Sequence, residues 1–145
     1  MEYSLHYKLR DCHTNCQRAI VRDIQERTSL SPGEPKILEF LAEHEPCEQK
    51  WIAQGCNLDS ASVTGILRRM EERKLIKREN RNGNRRSLYV SLTELGRKME
   101  TEVEKTFEAV DGQALEGLSE QEQRELLRLL DVVSRNLTPA AKEEL

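Results

Sequence analysis

The sequence predicts a mostly α-helical protein with a small β-hairpin wing. Three observations carry that reading. Apolar residues recur at helical spacing over long stretches at both ends of the chain. Two short helical segments joined by a tight turn lie between them, and a basic hairpin signal directly follows the second. The combination is a winged helix-turn-helix with long N- and C-terminal dimerisation helices. Its expected divisions are 1–29 for the N-terminal dimerisation helix, 30–92 for the winged lobe and 93–145 for the C-terminal dimerisation helices.

Each element has its own local cause. Leu5, Leu9, Cys12, Cys16, Ala19, Ile20 and Ile24 share one face of a helix over 4–27. Ser31-Pro32-Gly33-Glu34 reads as a capping box with proline at the first helical position. The second helix then turns Ile37, Leu38 and Leu41 inward and stops at Glu45-Pro46, because a residue before proline is pushed out of the helical region. A third helix over 48–56 places Trp51, Ile52 and Cys56 inward, and Asn57 offers the left-handed residue that often ends a helix. Asp59 is a good N-cap for a fourth helix over 60–73, with Val63, Ile66, Leu67 and Met70 inward. Strands over 76–79 and 87–91 flank a loop in which Asn82-Gly83 signals a hairpin turn. Thr93 caps a fifth helix bearing Leu95, Met99, Val103, Phe107 and Val110. Ser119-Glu120-Gln121-Glu122 opens a sixth bearing Leu126, Leu127, Leu130, Val133 and Leu137.

The net charge of −3 conceals a strong asymmetry. Over 62–86 there are nine basic residues against three acidic ones, and over 93–145 seven basic against thirteen acidic. A basic module beside an acidic one is the electrostatic footprint of a nucleic-acid-binding unit attached to something else. No stretch approaches the roughly 18 apolar residues of a membrane span. Residues 1–10 carry charges and no apolar signal region, so a cytoplasmic location is expected. No nucleophile–base pair, glycine-rich phosphate loop or metal motif is present, so neither an enzyme nor a cofactor is expected.

The expected partner is double-stranded DNA. A major groove about 12 Å wide admits one helix. Ser62, Thr64 and Gly65, small and polar at the start of the fourth helix, let its backbone approach, and Arg68 and Arg69 reach phosphate or guanine one turn on. Arg81, Asn84, Arg85 and Arg86 sit on the hairpin tip, where either Arg85 or Arg86 can enter a narrow minor groove.

Over 30–97 the chain resembles the MarR family of bacterial transcriptional regulators. Ser31-Pro32 with Ile37-Leu38 looks like the family's second-helix opening, and Asp59-Ser60-Ala61-Ser62-Val63-Thr64-Gly65-Ile66-Leu67-Arg68-Arg69-Met70-Glu71 like its recognition helix. Asn84-Arg85-Arg86 with Val90-Ser91-Leu92-Thr93-Glu94-Leu95-Gly96-Arg97 is similar to its wing and the start of the following helix. The resemblance implies a homodimer on a pseudo-palindromic operator with half-sites roughly 10 bp apart. It also implies a small amphipathic or phenolic effector bound where the winged lobe meets the dimer helices. Asn84 replaces the family's usual aspartate, and Lys74 stands where glycine is common.

Cys12 and Cys16, four residues apart on the first helix, read as a redox sensor, as two metal ligands with His13 or His6 nearby, or as small apolar residues on the apolar stripe; the stripe is preferred. Cys47 and Cys56 are assigned to core packing, and His6, His13 and His44 form no dense metal cluster. The expected function is therefore a sequence-specific DNA-binding regulator, a repressor released by its effector. The alternatives are a cysteine-based redox regulator and a winged-helix interaction module without DNA.

Overall fold

The computed structural model describes residues 4–81 and 83–139, the side chains of 84–86 excepted. Six helices and three strands follow in the order α1 (Leu5–Arg27), α2 (Glu34–His44), β1 (Cys47–Glu48), α3 (Gln49–Gly55), α4 (Ser60–Glu72), β2 (Ile76–Arg81), β3 (Asn84–Leu92), α5 (Glu94–Ala114) and α6 (Glu120–Leu137). The chain forms two compact units, Met1–Val110 and Asp111–Leu145.

In the first unit one core joins every element. Ile37, Leu38 and Leu41 of α2, Ile52 of α3, Val63, Leu67 and Met70 of α4, Val90 of β3 and Val103 of α5 are all essentially inaccessible. Fully burying a Leu, Ile, Val or Met side chain contributes about 1.5–3 kcal/mol, so this cluster is what holds the lobe together. The sheet is antiparallel in the order β1-β3-β2, with Ile76 opposite Leu92 and Arg78 opposite Val90. Strand β1, two residues pairing Cys47 with Val90, was not expected from the sequence. It is too short to show alternation.

Local signals account for most boundaries. Asp59 accepts from the Ser62 backbone N–H at 2.8 Å and starts α4. Thr93 Oγ1 accepts from the Gly96 N–H at 3.0 Å and starts α5. Gly96 lets α5 approach closely: a Cβ there would lie 2.0 Å from the Leu75 carbonyl oxygen. Ser119 and Glu122 form the complete reciprocal cap of α6.

The start of α2 corrects one expectation. The helix begins at Glu34, and Pro35, not Pro32, occupies its first turn. Gly33 caps it with φ +90, a left-handed conformation open to glycine. Only half of the expected reciprocal cap forms: the Ser31 N–H donates to Glu34 Oε1 at 2.7 Å, while the Ser31 side chain does not cap the helix. Trp51 is a second correction. It is 47% exposed, with Lys50 Nζ over its ring at 5.2 Å. In a helix of only seven residues the inward positions go to Ile52 and Ala53, and Trp51 lies about 100° away from Ile52.

The second unit contains α6, none of whose residues is buried. Leu126, Leu127, Leu129, Leu130 and Leu137 are all exposed on it.

Candidate nucleic-acid interface

Helix α4 buries Val63, Ile66, Leu67 and Met70. The 100° step per residue then turns Ala61, Thr64, Gly65, Arg68 and Arg69 outward. Of these, all but the half-buried Gly65 are exposed. Ser62 is also exposed, but it lies at the flank, on the side of Ile66, where both line a cavity. Its hydroxyl donates to Asp59 Oδ2 at 2.8 Å. The Ser62 backbone N–H, donating to the other Asp59 oxygen, leads the contacts that hold this carboxyl below the usual aspartate range. A Cβ on Gly65 would meet only Arg69 Nη1, at 3.5 Å, so packing within the chain does not demand glycine there.

The basic excess over 62–86 is partly spent inside the lobe. Arg73 forks onto Glu34, 2.8 and 3.1 Å from its two oxygens, and reaches the Ser29 carbonyl at 3.0 Å. Glu34 is 1% exposed, so this pair anchors the end of α4 to the start of α2. Arg78 pairs with Glu71 at 2.7 Å. Arg68 and Arg69 take part in no ion pair among the described residues. Arg81, at the end of β2, holds its guanidinium 5.4 Å from the Tyr89 ring centroid. Asn84, Arg85 and Arg86 begin β3, but their side chains lie outside the described residues, as does Asn82. At the base of the wing, Glu45 accepts from the Leu92 N–H at 2.8 Å and pairs with Arg97.

Sequence reasoning missed Gln49. From the first residue of α3 its Nε2 donates to Thr64 Oγ1 at 2.9 Å, while that hydroxyl donates to the Ser60 carbonyl at 2.9 Å. No local signal marks a contact between residues fifteen apart.

A cavity of about 380 Å³ opens between α1, α2, α4 and α5, walled by Ile20, Ile24, Leu30, Leu58, Ile66 and Phe107. Lys36, Gln17, Gln25 and Ser62 are the polar and charged residues that also line it. Cys56 is buried and its thiol is pushed up to about 11, chiefly by burial. Cys12 and Cys16 are exposed in the single chain. The reason is that α1 contributes only Ile24 to the closed core.

Residues 18–88 match the profile of the MarR family. An uncharacterized HTH-type transcriptional regulator of Bacillus subtilis, YfiV, is 30% identical over 123 residues, covering 83% of this chain and 77% of that protein. A probable transcriptional regulator from Pseudomonas aeruginosa superposes with a TM-score of 0.80 at 30% identity, over 91% of this chain and 98% of that one. BpsR of Bordetella bronchiseptica, whose DNA binding is regulated by 6-hydroxynicotinic acid, superposes with a TM-score of 0.82 at 22% identity over 92% and 95% of the two chains. At that identity the likeness is one of fold. The chain thus belongs to the MarR family, and it is an HTH-type transcriptional regulator rather than an enzyme.

Proposed function

We propose that two copies of this chain bind a pseudo-palindromic DNA site and repress transcription until a small amphipathic molecule releases them. The observation that carries the DNA reading is the outward row of α4, with Thr64, Arg68 and Arg69 exposed and both guanidiniums outside any described ion pair. The second contact in this reading is the wing: Arg81 ends β2 and residues 84–86 begin β3, and Arg81, Asn84, Arg85 and Arg86 are the residues assigned to it. Dimerisation is supported by apolar surface that the single chain leaves uncovered: Leu5 on α1 at 58% exposure and Leu127 on α6 at 60%. A homodimer interface of standard size would bury both.

The effector reading rests on the cavity beside α4. An apolar occupant with an anionic or phenolic end fits walls of Ile, Leu and Phe with Lys36 among them. Because Ser62 and Ile66 of α4 form part of those walls, an occupant that prefers one position of α4 shifts the population between DNA-competent and incompetent forms. The related regulator BpsR, under control of 6-hydroxynicotinic acid, is consistent with such a ligand class.

Anisotropy titrations against duplexes selected from a random pool test this. The double variant Arg85→Ala/Arg86→Ala is expected to weaken binding at least tenfold, since each lost phosphate or groove contact is worth about 1 kcal/mol or more. Unchanged affinity in that variant overturns the wing assignment. Unchanged affinity across a panel of aromatic carboxylates and phenols overturns the effector assignment.

The exposure of Cys12 and Cys16 favours a second reading, control by thiol oxidation. Peroxide would then lower DNA affinity in the native protein but not in Cys12→Ser or Cys16→Ser. Equal responses remove those thiols from the mechanism.

A further inference from the structure

We propose that Thr64 selects a base bearing an exocyclic amino group in the major groove, adenine or cytosine, and that Gln49 is the positioning residue that commits it to this choice. The proposal rests on the DNA-binding reading above and deepens it.

The argument is an inventory of one hydroxyl. A threonine hydroxyl has one proton to donate and two lone pairs to accept with. The proton of Thr64 goes to the Ser60 carbonyl at 2.9 Å, an oxygen that can only accept. One lone pair takes the Gln49 Nε2–H at 2.9 Å. What the exposed hydroxyl has left is a single acceptor lone pair. Thr64 shares its outward row with Arg68, one turn on, so whatever enters along that row meets both.

An acceptor has no use for a phosphate oxygen, which also only accepts. In the major groove guanine presents acceptors at N7 and O6 and thymine an acceptor at O4, whereas adenine presents the N6 amino group and cytosine the N4 amino group. Thr64 therefore discriminates adenine or cytosine from guanine or thymine at one position of each half-site. Gln49 acts through Thr64. Its N–H, held against Thr64 Oγ1, opposes rotation of the hydroxyl proton away from the Ser60 carbonyl; without it that rotation is unopposed and the hydroxyl can donate outward as well as accept.

The test compares the full-length protein with Thr64→Val and Gln49→Ala. The first keeps the shape and removes the hydroxyl; the second removes only the positioning amide. Thermal melting checks that both fold. Each protein selects duplexes from a random pool, and the wild-type duplex is then remade with purine in place of the selected adenine, or 2-pyrimidinone in place of the selected cytosine. Loss of the amino group alone should weaken wild-type binding about two- to tenfold, the range of one net hydrogen bond, and leave Thr64→Val indifferent. Gln49→Ala should melt as wild type does while losing most of the preference at that position.

A wild-type preference unchanged in Thr64→Val, or an amino deletion that costs the wild type nothing on tightly bound duplexes, overturns the proposal and leaves DNA binding intact. A preference that survives in Gln49→Ala but not in Thr64→Val overturns the role of Gln49. A wild-type protein that binds no duplex overturns the DNA reading and this proposal with it.

Discussion

Replacing Glu100 by glutamine should make the protein more stable in mild alkali and leave it unchanged in mild acid. Glu100 lies on α5 and is 8% exposed. Burial, a hydrogen bond with Glu104, and the charges of Glu104, Glu39 and Glu43 push its carboxyl up to about 7. An unfolded glutamate titrates near 4.3, so the gap of between two and three units sets a ceiling of about 4 kcal/mol at roughly 1.4 kcal/mol per unit. Because Glu100 is hydrogen-bonded to Glu104, the expected effect lies below that ceiling, at about 1–3 kcal/mol. The sign follows from proton linkage. The folded chain holds a proton that the unfolded chain has released, so the contribution is full below about pH 4 and is lost as pH rises to about 7. A Glu100→Gln variant carries the neutral form at every pH. Urea unfolding at fixed protein concentration, at about pH 4 and about pH 8, reads the difference. The variant should match wild type at the lower pH and exceed it by 1–3 kcal/mol at the higher, by about the amount the linkage argument gives. Parallel pH profiles for the two proteins would refute the argument that Glu100 is protonated in the fold.

Gly96→Ala should lower the melting temperature by several degrees, because its methyl group meets the Leu75 carbonyl at 2.0 Å and α5 must shift, at about 2 kcal/mol or more. Gly65→Ala makes no such contact, so melting should hold or improve while DNA affinity falls wherever that face meets the groove. Lys74→Gly should stabilise by about 1 kcal/mol, since Lys74 holds φ +63, a conformation that strains residues with a Cβ. Arg73→Met strands the buried Glu34 carboxylate and should destabilise by roughly 3 kcal/mol. Adding Glu34→Gln should recover much of that, as measured by denaturant midpoint.

Elements whose causes are local were legible in the sequence. Asp59, Thr93 and the Ser119–Glu122 pair each sit within three residues of the backbone group they cap, and the Val63, Ile66, Leu67, Met70 stripe repeats at the helical period. What was not legible depends on partners distant in sequence. Two prolines around Gly33 left the start of α2 ambiguous, and its position is settled by Glu34 meeting Arg73, thirty-nine residues away. Trp51 reads as core by composition, yet Ile52 and Ala53 take the inward positions of its short helix. On the candidate interface, periodicity assigned Ser62, Thr64, Gly65, Arg68 and Arg69 to the outward face, and Ser62 lies at its flank, lining the cavity. The use of Thr64's proton and the tie to Gln49 needed the tertiary fold.

The most direct measurement is the salt dependence of association between the purified protein and duplex DNA, for wild type and Arg68→Ala/Arg69→Ala. The logarithm of the wild-type association constant should fall linearly with the logarithm of salt concentration, with a slope of several units. The variant's slope should be shallower by about one unit for each phosphate contact removed. A protein that shows no salt-dependent association with any duplex, or a variant whose slope matches wild type, contradicts the placement of α4 on DNA.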